Sequence, residues 1–230
     1  MKKTIIFGYN LFDLILLGTG LVSLTVVSMV FSSPWYIYVN TILALLCVFT
    51  QAKGQVITQF LGIACFIFYI YISFTQKLYG EVILYTFIMM PIYLYGAVHW
   101  FKNRNNKDKS IVNVRKTLPK LEIILMLIAV VIIFFGVYYL LKALNTAQLT
   151  LSTIAFVSTV PAVYLLARRC IWNQVVFLLN DIFVPIMWLN FAIQGDLTLI
   201  VMVIYHIFQI VYDIYGLVVW LKLEKQQKNG

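Results

Sequence analysis

The basic residues of this chain fall in alternate gaps between eight apolar stretches, and that pattern dictates a membrane-embedded helical bundle. The stretches are Phe12–Phe31, Trp35–Ala52, Ile57–Phe74, Val82–Trp100, Leu121–Leu141, Leu149–Leu166, Val175–Ile193 and Leu197–Trp220. Each approaches or exceeds the roughly 20 helical residues that cross the hydrocarbon layer of a bilayer. Threaded in order from an inner N-terminus, fifteen of the seventeen Lys and Arg residues land on one side. Only Lys77 and Lys142 land on the other. Such a bias marks the cytoplasmic face. Adding or dropping one helix would scatter basic clusters over both faces. The expectation is an all-α integral membrane protein of eight transmembrane helices, in the plasma membrane, with both termini cytoplasmic.

Composition narrows the function classes. Of 230 residues, 63% are apolar, against about 45–50% in a soluble domain. Spans and short loops therefore consume the chain and leave no room for a soluble catalytic domain. The net charge of +9 sits in the inner loops, where it faces anionic lipid, so nucleic acid is not an expected partner. Cys47, Cys65 and Cys170 are scattered, with no disulfide or metal spacing, and read as packing residues. The first span reads as a retained helix because Pro34 and Trp35 follow it where a cleaved signal needs small residues.

The segments Gln55–Trp100 and Asn173–Trp220 resemble each other. Gln55-Val56 pairs with Gln174-Val175, Gly80-Glu81 with Gly195-Asp196 at an outer turn, Tyr95-Gly96 with Tyr215-Gly216, and Trp100 with Trp220. Spans two to four and six to eight then form two parallel triplets joined by span five: an extra N-terminal helix plus a 3+1+3 parallel repeat. The expected layout is residues 1–34 for the extra helix and 35–101 for the first triplet. A basic cytoplasmic loop over 102–120 and a linker helix over 121–145 follow, then the second triplet over 146–222 and a tail over 223–230. The loop is basic and lacks apolar periodicity, and it is expected to be a solvated hinge.

The helix ends YLYGAVHW and DIYGLVVW resemble the Tyr-Gly-Trp-x-x-Trp ends found in the PnuC family of vitamin transporters, which share a fold with the SWEET sugar transporters. The resemblance covers about Trp35 to Lys222. It implies a facilitator for a nucleoside-like vitamin precursor, foremost nicotinamide riboside, with trapping by a kinase inside the cell. Two departures stand out. Ala97 and Leu217 replace the first Trp of each helix end. The family signature W-x-x-W-x-x-x-N keeps its Asn as Asn180 but has Asn173 and Val176 in place of its tryptophans. That signature belongs to substrate recognition in the family, so another (deoxy)nucleoside or a thiamine-like vitamin stays open.

Carboxylates inside a membrane are costly and default to functional candidates. Asp181 and Asp213 lie at similar depth, about 10–12 Å above the inner edge at 1.5 Å per residue. His206, Gln209, Asp213, Gly216 and Trp220 share one face of span eight. Gln55, Gln59, Gly62, Phe66, Tyr69 and Ser73 share one on span three. Span seven presents Phe177, Asn180, Val184, Trp188 and Phe191, and span four Tyr85, Met89, Tyr93, Gly96 and Trp100. The substrate-binding candidates are Asn180, Asp213, Gln209, Asp181, His206, Trp188, Gln59 and Tyr93. Aromatic faces suit a planar base, and amides and carboxylates suit ribose hydroxyls. Packing glue is the competing role for the amides. Asp13 and Glu122 are expected to complement helix dipoles, Trp35 and Trp100 to sit in interfacial belts, and Pro91, Pro161 and Pro185 to bend their helices.

No P-loop is present, so no ATP-powered step is expected. An enzyme would need a metal cluster or Ser/His pair that two histidines at different depths do not supply. No cofactor or metal is expected. The partners expected are a small-molecule substrate and the lipid bilayer, and the sequence is compatible with a homo-oligomer. A non-transporting scaffold subunit is the remaining alternative.

Overall fold

The computed structural model of the protein describes residues 5–6 and 9–229; Lys2 and Lys3, counted in the charge argument, lie outside them. Strands β1 (Ile5–Ile6) and β2 (Tyr9–Asn10) pair antiparallel and lead into α1 (Leu11–Val30). Then come α2 (Trp35–Ala52), α3 (Ile57–Thr75), α4 (Tyr79–Ile83), a π-helical turn over Leu84–Met89, and α5 (Met90–Lys102). After the loop follow α6 (Lys120–Ala143), α7 (Leu149–Ala167), α8 (Asn173–Asn180), α9 (Val184–Ile193), a 3-10 turn at Leu197–Leu199 and α10 (Ile200–Lys228). These make eight membrane-length helices, because α4 runs through the π turn into α5, and α8 and α9 are two parts of one crossing. The eight expected spans are all present, with ends shifted by about a turn, and α10 runs two turns past Trp220.

The ends are set by local chemistry. Asn10 and Asp13 form a reciprocal capping box at the start of α1, each side chain accepting the other's backbone N–H at 2.9 Å. Pro34 and Pro119 open α2 and α6 where their missing N–H costs nothing. Inside spans the same missing N–H frees the carbonyl four residues back. Pro91 frees Phe87 within the π turn, and Pro185 frees Asp181 where span seven breaks between α8 and α9. Around Pro161, α7 continues as one helix.

Burial sorts the helices. Spans two and six are 61% and 56% buried, so they form the centre. Span five is apolar all round and only 6% buried, as a helix facing lipid must be. The described face of α1 packs on α2 and α10. Asp13, expected only to complement the dipole, also pairs with Lys53 Nζ at 2.6 Å and accepts from Tyr215 Oη at 2.5 Å. Glu122 likewise pairs with Arg168 at 2.6 Å.

The 102–120 segment is not a free hinge. Val56 N donates to Ser110 O and Val112 N to Gly54 O, each at 2.9 Å, stitching the loop to the turn after span two. Arg115 N donates to Arg169 O at 2.8 Å, and Ile171 N to Arg115 O at 2.9 Å, stitching it to the turn after span six. Val112 and Val114 are buried with the half-buried Asn113 between them, a two-residue period too short for a hydropathy window. Gln227 closes the seam from α10, accepting from Val114 N at 2.9 Å and donating to Val112 O at 3.1 Å. Gly54 and Arg169 occupy matching turns with φ of +67° and +60°. Gly54 takes this conformation freely, whereas Arg169 bears a cost of about 1 kcal/mol. Arg169 is also buried, with Nη1 donating to Asn113 O at 2.7 Å. Burial, with the charges of Arg115 and Arg168 adding, pushes its guanidinium down to about 10.

Trp35 is exposed as expected of a belt residue, but Trp100 is fully buried. Its Nε1 donates to Leu166 O at 3.1 Å, and Trp220 Nε1 donates to Gln51 O at 2.9 Å. The two rings pack 6.0 Å apart. Trp100, near the end of span four, thus holds the penultimate residue of span six, and Trp220 that of span two. This reach, invisible in a linear sequence, is what removes Trp100 from the lipid.

A candidate substrate cavity

A small cavity of about 70 Å³ lies between spans two, three, four, six, seven and eight. Spans one and five do not line it. The aromatic wall is built by spacing. On α3, Phe66 and Tyr69 are one turn apart. Tyr85 comes from the π turn and Tyr93 from α5. Phe66 meets Tyr85 edge-on at 4.9 Å and Tyr93 at 4.7 Å, and Tyr69 lies 4.2 Å from Tyr85. The π turn adds a residue to span four and so keeps Tyr85, Met89 and Tyr93 on the inner side despite their even spacing. Gly62 gives Tyr93 its place: a Cβ there would stand 2.2 Å from the ring.

The polar wall comes from the other triplet. Asn180, the last residue of α8, lines the cavity while its Nδ2 faces Ser158 Oγ and Thr159 Oγ1 at 2.8 Å and Ala155 O at 3.1 Å. Its amide hydrogens are thus committed to span six, and its carbonyl oxygen is the end left for a ligand. Gln209 lines the cavity and donates to Asp181 Oδ1 at 2.8 Å. His206 lines it too, with neither ring nitrogen hydrogen-bonded and Nδ1 3.9 Å from Asp181 Oδ1.

Of the eight expected site residues, Asn180, Gln209, His206 and Tyr93 line the cavity. Four lie behind it. Asp181 sits at the break in span seven and reaches the cavity only through Gln209. Asp213 is buried too, and like Asp181 it keeps one carboxyl oxygen without a hydrogen-bond partner. Gln59 is buried against Gly96. Trp188 is fully buried with its ring 5.8 Å from Tyr69, as a backing to the aromatic wall.

Glu81, Asn40, Gln51 and Tyr205 also line the cavity and were not expected there. Glu81 was placed in an outer turn opposite Asp196. Asp196 does stay at that turn, where its Oδ2 accepts from Gln76 at 2.9 Å. Span four, however, starts at Tyr79 rather than Val82, and the extra turn carries Glu81 inward to 2% exposure. Glu81 stands at the very edge of its apolar run, directly before Val82, where a carboxylate reads as the end of the span. Asn40 had a signal, as the one amide midway along span two. Its Oδ1 accepts from Cys65 Sγ at 3.3 Å. Cys47 and Cys65, read as packing residues, do border the cavity.

A family model described as nicotinamide mononucleotide transporter matches residues 34–222. The chain belongs to this family. It is 23% identical over 230 residues to the nicotinamide riboside transporter PnuC of Neisseria mucosa, covering 99% of this chain and 88% of that protein. Its fold is that of the vitamin B3 transporter PnuC in a crystal structure, with a TM-score of 0.83, 23% identity, and 96% and 95% of the two chains covered. As a member of the nicotinamide mononucleotide transporter family, the protein is a multi-pass membrane transporter and not an enzyme. The match omits the first span.

Proposed function

We propose that the protein carries nicotinamide riboside, or a nucleoside-type vitamin precursor of similar shape, across the plasma membrane by facilitated diffusion. The observation that carries this reading is the cavity's division of labour. One wall is aromatic rings, suited to a flat base. The other presents Asn180, Gln209 and His206, suited to ribose hydroxyls. Family membership and the substrate named for the Neisseria mucosa relative support it. The signature tryptophans replaced by Asn173 and Val176 favour testing deoxynucleosides and thiamine beside nicotinamide riboside. The charge bias supports cytoplasmic termini.

At about 70 Å³ the cavity falls well short of the roughly 300–1,000 Å³ of a ligand pocket. The state described is therefore a closed one, and the helices separate to admit a nucleoside. The breaks at Pro91 and Pro185 weaken spans four and seven where such motion is cheapest. Liposomes holding only this protein should bring labelled nicotinamide riboside to equal concentrations inside and out without any ion gradient. Accumulation beyond equality that depends on a proton gradient would reject passive transport. No uptake of any tested solute would favour the scaffold reading.

A further inference from the structure

Glu81 is the one acidic side chain lining the cavity, and among the described residues no lysine or arginine lines it. It is 2% exposed. Its Oε2 accepts a single long hydrogen bond from Tyr69 Oη at 3.3 Å, and its Oε1 has no partner. A buried carboxylate with one weak bond is unfavourable until something charged satisfies it. Tyr69, Tyr85, Phe66 and Tyr93 stand on the same side of the cavity, and aromatic faces attract cations. A carboxylate beside a cluster of rings is the arrangement that suits a diffuse positive charge in a flat molecule. It offers nothing to an anion.

We infer that Glu81 is the counter-charge by which this transporter selects an N-substituted, cationic heteroaromatic ring over a neutral ring of the same shape. The inference rests on the carrier reading above and adds to it the charge that the site demands. The base wall alone would accept any planar ring; Glu81 makes the choice electrostatic.

The purified full chain tests this with two ligands of one skeleton. Nicotinamide riboside is a pyridinium cation, and its 1,4-dihydro form is neutral. The parent should bind the cation at least tenfold more tightly. Glu81→Gln should weaken the cation by roughly 10- to 100-fold, the range of a charged hydrogen bond, and the dihydro form by less than about threefold. Glu81→Asp, which keeps the charge, should restore much of the preference. Thermal unfolding of each variant separates a binding loss from a folding loss. Equal binding of both forms by the parent, or equal weakening of both by Glu81→Gln, overturns the inference. If the parent binds neither riboside, the nicotinamide riboside reading fails instead. The same comparison is then made with 1-methylnicotinamide and nicotinamide. A cation preference that vanishes in Glu81→Gln upholds the role of Glu81, and the lack of one overturns it.

Discussion

Gly62 sets the shape of the cavity through one missing atom. Tyr93 fills the space that a Cβ would take, so Gly62→Ala must push the ring toward the cavity or push α3 from α5. Overpacking of this kind costs about 1–3 kcal/mol. Thermal unfolding in detergent should fall accordingly, and substrate uptake should drop at least as steeply because Tyr93 lines the site. Gly18→Ala, which meets nothing within 4 Å, is the matched control and should leave both unchanged. At this scale the sequence was partly legible. A three- or four-residue spacing put Asn180, Gln209, His206 and Tyr93 on inward faces, and they are there. The same spacing put Asp213 and Gln59 inward, but inward on a helix can mean another helix rather than the cavity. Glu81 was lost because it stands at the edge of its apolar run, beside Gly80, where a turn is the simpler reading.

Elements were the most legible scale, since eight apolar runs leave little choice of what to bury. What stayed hidden was how the elements hold one another. Nothing local marks Trp100 and Trp220 as hydrogen-bond donors to the opposite triplet. The same holds for the 102–120 segment, whose ordering comes from partners at Gly54, Arg169 and Gln227. Trp100→Phe and Trp220→Phe each keep a ring but lose one hydrogen bond, while the carbonyls of Leu166 and Gln51 keep the N–H groups of Arg169 and Gly54. Each should cost about 0.5–1.5 kcal/mol in equilibrium unfolding. Because the rings pack at 6.0 Å, the double variant should depart measurably from the sum of the two. Strict additivity would show that the indoles act as separate pegs.

The orientation of the whole molecule rests on charge, and so does its test. A cysteine placed at the exposed Asn106, in a background without the three native cysteines, should resist an impermeant reagent added to intact cells and react once the membrane is opened. Labelling in intact cells would invert the topology. Span five is the least buried of the spans, for a helix apolar all round has no face to reserve for neighbours.

The closed cavity also bears on how such a protein can be kept. With so small a cavity and two tryptophans holding the basic end, the idle molecule presents no wide wet path from one side to the other. An ion would have to shed its hydration shell to enter, at a cost that thermal energy does not meet. A cell can therefore station many copies in its membrane against scarcity of the solute and lose none of its membrane potential while they wait.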